Sequence, residues 1–287
     1  MTPDCIFISF LLDVDCPRGL NRGQSAFSAQ TDIMNRMNAT TKSGVITVPQ
    51  GSLSWLALRA RQNDPLTPGA PPDFLHPTEI EHWETLKVDK RRREWTLGRR
   101  AAKELIVELI TEKVGHHFGL AEIAIISHAD GWPIVTLPGY ISSPAVTLSI
   151  SHSKEVAFCA AAEGANRLLG ADIEAIEPRA GAFAEEYFTP LENRFLAAAP
   201  AQQTTTLINA VWSGKEAALK AIRRGLAEDT RLVSCLPHPI MNGEADWLPM
   251  RIEWAAERAT RPMPPLRGYW RLEGDFVMTL AFAAASD

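Results

Sequence analysis

Three carboxylates and a lysine lie in two short segments, Gly170-Ala-Asp172-Ile-Glu174-Ala-Ile176 and Trp212-Ser-Gly-Lys-Glu216-Ala-Ala-Leu-Lys220. Side chains alternate faces along a strand, so Asp172 and Glu174 point one way while Ala171, Ile173 and Ala175 point the other. Two carboxylates on one face repel, and a cation, a proton or bulk water must relieve them. Hard oxygen donors of this kind suit magnesium. On a helix Glu216 and Lys220 share a face, so the acid can meet a metal while the ammonium meets a phosphate.

Each half alone has an ordinary alternative. Acidic pairs at this spacing decorate solvated sheet faces. Glu–Lys pairs one helical turn apart are common surface features contributing about 0.2 to 0.5 kcal/mol. The flanking residues alter the balance. Leu168-Leu169-Gly170 opens the first segment as a buried strand would, and Trp212, Ala217, Ala218, Leu219, Ala221 and Ile222 give the second a wide apolar stripe. Both elements should pack, leaving their charges on a partly buried rim.

The elements that must position these residues follow from periodicity and turn chemistry. Residues 1–44 read as a flexible extension. Strand-like stretches at 45–48 and 53–58 precede a Pro/Gly-rich loop at 64–73. Thr78 with Glu81 predicts a capping-box start, and 87–110 reads as one or two helices. Short strands are expected at 135–137, 145–150 and 156–162, with turns at Asp130-Gly131 and Ser151–Lys154. The acidic strand at 168–176 leads to helical stretches at 182–188, 190–198 and 206–223, with Gly225 suited to a helix end. Strands at 231–236, 250–255, 269–272 and 276–283 complete the pattern. The order predicts an α+β fold of two similar lobes (a pseudodimer), each a small, mainly antiparallel sheet packed with helices, over 45–165 and 166–287. The acidic strand would lie at their seam.

The chain has 287 residues, 46% hydrophobic and 22% charged, an ordinary composition for a soluble globular protein. A formal charge of −5 argues against a nucleic-acid partner. Cys5, Cys16, Cys159 and Cys235 lack metal-ligand or redox spacing, which fits reduced thiols and a cytoplasmic setting. The apolar run at 6–12 is too short to span a membrane and has no basic residues before it.

Taken together the two segments resemble the signature pair of the larger, pseudodimeric class of 4′-phosphopantetheinyl transferases. Glu94-Trp-Thr-Leu-Gly98-Arg99-Arg-Ala-Ala-Lys103 is similar to that family's basic helix in its siderophore-synthesis branch. Gly131-Trp132-Pro133 resembles its Gly-Lys-Pro turn, Ser149-Ile-Ser151-His152-Ser153 its Ser-His element, and Tyr187-Phe-Thr-Pro-Leu-Glu192 the segment between the signatures. The resemblance covers about 78–226. It implies transfer of the phosphopantetheine arm of coenzyme A to a serine of an apo acyl- or peptidyl-carrier protein, with release of 3′,5′-ADP. Fatty-acid, polyketide and nonribosomal-peptide carriers all remain open as partners.

The resemblance also implies roles. Asp172, Glu174 and Glu216 would hold Mg²⁺, Lys220 would offset phosphate charge, and Glu216, or Glu174 through a water, would take the serine proton. Ser151 and His152 would meet the 3′-phosphate of coenzyme A, and Arg99, with Arg92, would bind nucleotide phosphate. Two departures stand out: Trp132 replaces a lysine or arginine of the family pattern, and Ala171 replaces a branched residue. A single lobed chain suggests a monomer acting in solution. Two alternatives are a noncatalytic carrier- or nucleotide-binding protein of the same fold and another metal-dependent phosphoryl enzyme.

Overall fold

A computed structural model describes residues 41–48, 51–60, 69–139, 145–225, 228–240 and 246–283. The expectations for residues 1–40 of the extension and for 64–68 of the Pro/Gly-rich loop lie outside the described residues; residues 41–44, expected in the flexible extension, instead pair in a strand with residues 55–58. Eleven strands are described, with five α-helices. The helices are α1 (Pro77–Thr85), α2 (Asp89–Val114), α3 (Phe183–Tyr187), α4 (Pro190–Ala197) and α5 (Thr204–Ala221). No helix among the described residues is long and apolar enough to cross a membrane.

The strands form two antiparallel sheets and a hairpin. The first sheet has the order β1 (Thr41–Val48), β2 (Gly51–Arg59), β6 (Val156–Glu163), β5 (Val146–Ser153). The second runs β7 (Leu169–Ala175), β11 (Phe276–Ala283), β10 (Leu266–Glu273), β9 (Leu248–Trp254), β8 (Val233–Pro237). β3 (Ala124–Ser127) pairs with β4 (Pro133–Thr136). This is the expected α+β class of mixed helix and antiparallel sheet. Alternation along the strands makes one apolar cluster common to both sheets, with Trp55 and Phe158 from the first and Ile173, Phe276 and Met278 from the second. The remaining face of the first sheet is covered by α2 through Leu97, Ala101 and Leu105, and that of the second by α5 through Ala210, Ala217 and Ala221.

The edges of the two sheets meet at β5 and β7 through side chains. Thr147 Oγ1 accepts from Arg167 N at 3.1 Å, Ser149 Oγ from Ala171 N at 2.9 Å, and Ser153 Oγ from Ala175 N at 3.1 Å. Alternate hydroxyls on one strand thus serve backbone donors that would otherwise be orphaned at a sheet edge. This corrects the expected turn at Ser151–Lys154. Ser151, His152 and Ser153 belong to β5, and the turn narrows to Lys154 and Glu155. The polarity that suggests a turn is spent on the seam.

Helix starts and stops also differ in detail. α1 is capped by His76, with Pro77 at its first position and Glu79, not Glu81, completing the box on His76 N at 2.9 Å. The stretch beginning at Asp89 is a single helix of 26 residues. α5 ends at Ala221, and Arg223, with φ 59°, takes the left-handed position just past it, two residues before Gly225, which is also left-handed at φ 51°.

Candidate active site

The expected alternation on β7 holds. Ala171, Ile173 and Ala175 enter the shared core, while Gly170, Asp172 and Glu174 face α5. The helix runs antiparallel to the strand: Trp212 meets Glu174, Ser213 meets Asp172, and Ala217 and Ala221 cross Gly170. That crossing explains the glycine. A Cβ at position 170 would stand 1.8 Å from Ala217 O and 2.7 Å from Ala221 N. Only a residue without a side chain lets the helix approach closely enough for Lys220 to reach the strand.

Asp172 is buried and saturated with donors. Lys220 Nζ lies 2.6 Å from Oδ1, Ser151 Oγ donates to Oδ1 at 2.7 Å, and Ser213 Oγ donates to Oδ2 at 2.8 Å. Lys220 also donates to Ser151 Oγ at 3.0 Å and Ala171 O at 3.3 Å, and Glu216 Oε2 stands 3.8 Å away. Ser151 is the one member of the hydroxyl row aimed at a carboxylate, which ties the first sheet directly to the site. Ser213 adds a 2.8 Å hydrogen bond with Thr279 on β11. Nothing in the sequence singles out Ser213 except its place between Trp212 and Glu216.

Glu174 stands at the other end. Its carboxylate accepts from Trp212 Nε1 at 3.0 Å and Arg179 Nη2 at 2.9 Å. Arg179 is held by Asn209 Oδ1 at 2.8 Å and lies over the Phe183 ring. This second cation escapes motif reading because its position follows the strand in an irregular loop.

The electrostatics follow from crowding. Burial, then the Asp172 charge, raises Glu216 to about 7, against the opposing pull of Lys220. Burial and Asp172 likewise push Glu174 up, despite Arg179. Burial works against the Lys220 ammonium, but Asp172 and Glu216 outweigh it and hold its pKa above the ordinary lysine value. His152 lies at the solvent rim. Partial desolvation lowers its pKa, with Glu94 on α2 opposing that effect and Lys220 adding to it.

The structure therefore brings together Asp172, Glu174, Glu216, Lys220, Ser151 and His152. It does not bring Arg92 or Arg99 to them. Arg99 is buried and paired with Glu79 at 3.5 Å over the Trp95 ring, beside Lys103, whose ammonium lies 2.5 Å from Glu79. Arg92 donates to Leu86 O at 2.5 Å and stacks over Trp83. Both guanidiniums help fasten α1 to α2, a use that the basic run alone does not reveal. Lys215 is also structural. It is fully buried, 2.6 Å from Glu192 and 2.5 Å from Val233 O, and locks the capping box of α4 to α5 and β8.

Among the described residues no three His, Cys, Asp or Glu side chains converge on one point as a finished metal cage. The donor chemistry nevertheless suits a hard divalent cation. Among the described residues three carboxylates crowd against the cations Lys220 and Arg179, and burial, then the Asp172 charge, makes Glu216 hold its proton more tightly.

Carboxylates joined to a lysine between a strand and an antiparallel helix form a donor set suited to phosphoryl-transfer chemistry. Residues 168–281, which carry all of them except Ser151 and His152, match the family model of the 4′-phosphopantetheinyl transferase superfamily. A curated relative, the 4′-phosphopantetheinyl transferase HetI of Nostoc sp. (strain PCC 7120 / SAG 25.82 / UTEX 2576), is 27% identical over 143 residues, or 48% of this chain. The match spans about half of that relative, 55% of its length. Among solved structures, an ACPS-CoA complex of Chronobacterium ammoniagenes is 22% identical, covering 44% of this chain and 97% of that one at a TM-score of 0.29. An apo-ACPS structure is 23% identical, with coverages of 42% and 94% and the same TM-score of 0.29.

Proposed function

We propose that the chain is a 4′-phosphopantetheinyl transferase of the larger, two-lobed class, with lobes over 45–165 and 166–287. It would transfer the phosphopantetheine moiety of coenzyme A to a serine of an apo acyl- or peptidyl-carrier protein, acting as a cytoplasmic monomer. One observation carries the reading: Lys220, one turn beyond Glu216, lies 2.6 Å from Asp172 on the strand, so the two motifs form one site.

The serine oxygen forms a bond to the phosphorus that carries the pantetheine arm. The bond from that phosphorus to the bridging oxygen breaks, and 3′,5′-ADP departs. Glu216 is the base for the serine proton, from its place on α5 one turn before Lys220, whose ammonium lies 3.8 Å away. Glu174, acting through a water, is the alternative base. Lys220 stays charged throughout the neutral range and offsets negative charge on the phosphates. Ser151 and His152 offer a hydroxyl and an imidazole to the nucleotide phosphates from the rim of β5. Asp172, Glu174 and Glu216 would hold Mg²⁺, which when bound supplies charge neutralisation to the pyrophosphate.

The test is mass spectrometry of a varied panel of apo carriers after incubation with coenzyme A, Mg²⁺ and the protein. A phosphopantetheine adduct that disappears with Lys220→Ala supports the reading, and the carriers modified rank the partners. An unmodified panel rules out the transferase. Release of 3′,5′-ADP at equal rates with and without carrier would instead identify a phosphoesterase.

A further inference from the structure

Arg223 occupies a backbone conformation that its side chain disfavours. It sits just past the end of α5 with φ 59°, its N–H donating to Lys220 O at 2.9 Å. This is the left-handed helix-end position that glycine fills without steric cost. Asn166, in the loop entering β7, is also left-handed, with φ 62°, and its Oδ1 accepts from Arg223 Nη1 at 2.9 Å. The Arg223 guanidinium lies over Trp132 at 3.9 Å, and the same indole stacks on His128 at 4.4 Å with 19° between the planes. One strained residue, an asparagine at home in the left-handed region and an aromatic stack thus fix the direction of one cation. Strain of this kind persists where the surrounding structure overdetermines it, and it marks sites of function.

The location gives that cation a use. Along α5 the site is graded: Glu174 lies opposite Trp212, Asp172 opposite Ser213, then comes Lys220, and Arg223 follows at the end. The polarity runs from acidic to basic. Among the described residues only Nη1 of the Arg223 side chain has a hydrogen-bond partner, and the residue is partly exposed. The remaining guanidinium donors suit an anion, and a guanidinium lying over an indole keeps its planar fork of donors for phosphate.

We propose that Arg223, presented by Trp132 and Asn166, binds a substrate phosphate separate from the pyrophosphate, which on the transferase reading is the 3′-phosphate of coenzyme A. Trp132 contributes as a platform, and the charge that a lysine in its place would bring comes from the helix end. The proposal rests on that reading for the identity of the ligand.

Arg223→Gly separates this role from a structural one, because glycine is the residue the backbone prefers there. Calorimetric titration would compare coenzyme A with 3′-dephospho-coenzyme A, alongside a thermal melt. The expected variant melts at or above the wild-type temperature and binds coenzyme A about tenfold or more weakly, with dephospho-coenzyme A unaffected. Trp132→Leu should weaken the same discrimination to a smaller extent. Equal losses on both ligands, or unchanged coenzyme A binding, overturn the proposal. A variant that fails to fold assigns Arg223 a structural role and overturns it as well. Binding is measured without a carrier, so discrimination by Arg223 with no transfer to any carrier would refute the transferase reading and leave this one standing.

Discussion

Gly170→Ala is the sharpest single perturbation of the site, because the residue that changes touches neither substrate nor metal. The new Cβ would stand 1.8 Å from the carbonyl oxygen of Ala217, and both partners are backbone in packed elements. Ordinary contact begins near 3.4 Å, so β7 and α5 must separate by about 1.6 Å. Overpacking typically costs about 1 to 3 kcal/mol, and a backbone clash with no flexible end to give way belongs at the top of that range. For a unit of this size about 3 kcal/mol lowers the melting temperature by roughly 6 to 12 °C. The same displacement exceeds what the Lys220–Asp172 and Ser213–Asp172 contacts at 2.6 and 2.8 Å can tolerate. A misplacement of roughly 1 Å in a reacting constellation can cost about a hundredfold in rate, which is the loss expected in carrier modification per unit of folded protein. The assay pairs a thermal melt with the mass-spectrometric transfer rate. Gly139→Ala is the control, since among the described residues nothing lies within 4 Å of a Cβ there. A Gly170→Ala protein with wild-type melting and transfer would refute the claim that helix approach at this glycine sets the site.

Three further outcomes follow from the buried polar groups. Ser213→Ala leaves Asp172 Oδ2 without its hydroxyl donor and should destabilise the fold by about 1 to 3 kcal/mol in urea titrations, with Ser213→Thr retaining more of the stability. Lys215→Met strands the Glu192 carboxylate in the core and should cost about 3 to 5 kcal/mol, while adding Glu192→Gln should recover part of it; a double variant no better than the single would dispute the pairing. Glu216 titrates near 7 in the folded protein but near 4.5 in the unfolded chain, so between those values the native state binds the extra proton. Stability in EDTA should therefore fall as pH rises from about 4.5 to 7, and Glu216→Gln should flatten that slope.

The meeting of acids and lysine is legible in the sequence because it depends only on two periods. Alternation sends Asp172 and Glu174 to one face, and a turn of helix aligns Glu216 with Lys220. What the sequence conceals is how those faces are held in register. The row Thr147, Ser149, Ser151, Ser153 has strand periodicity, yet the polarity of its second half, running into Lys154, suggests a turn from Ser151, because hydroxyls signal solvent unless another backbone is known to need them. The basic run from Lys87 to Lys103 similarly suggests ligands for Arg92 and Arg99. The carboxylate that captures Arg99 and Lys103 is Glu79, on a different helix, and pairing at that distance leaves no local pattern. Charged groups were thus good guides to which residues could react and poor guides to which ones hold the site together. Positioning here falls to a glycine that removes a side chain and to serines that replace a neighbouring strand. Gly170 and Ser151 therefore confer on Asp172 an environment that its own motif does not encode.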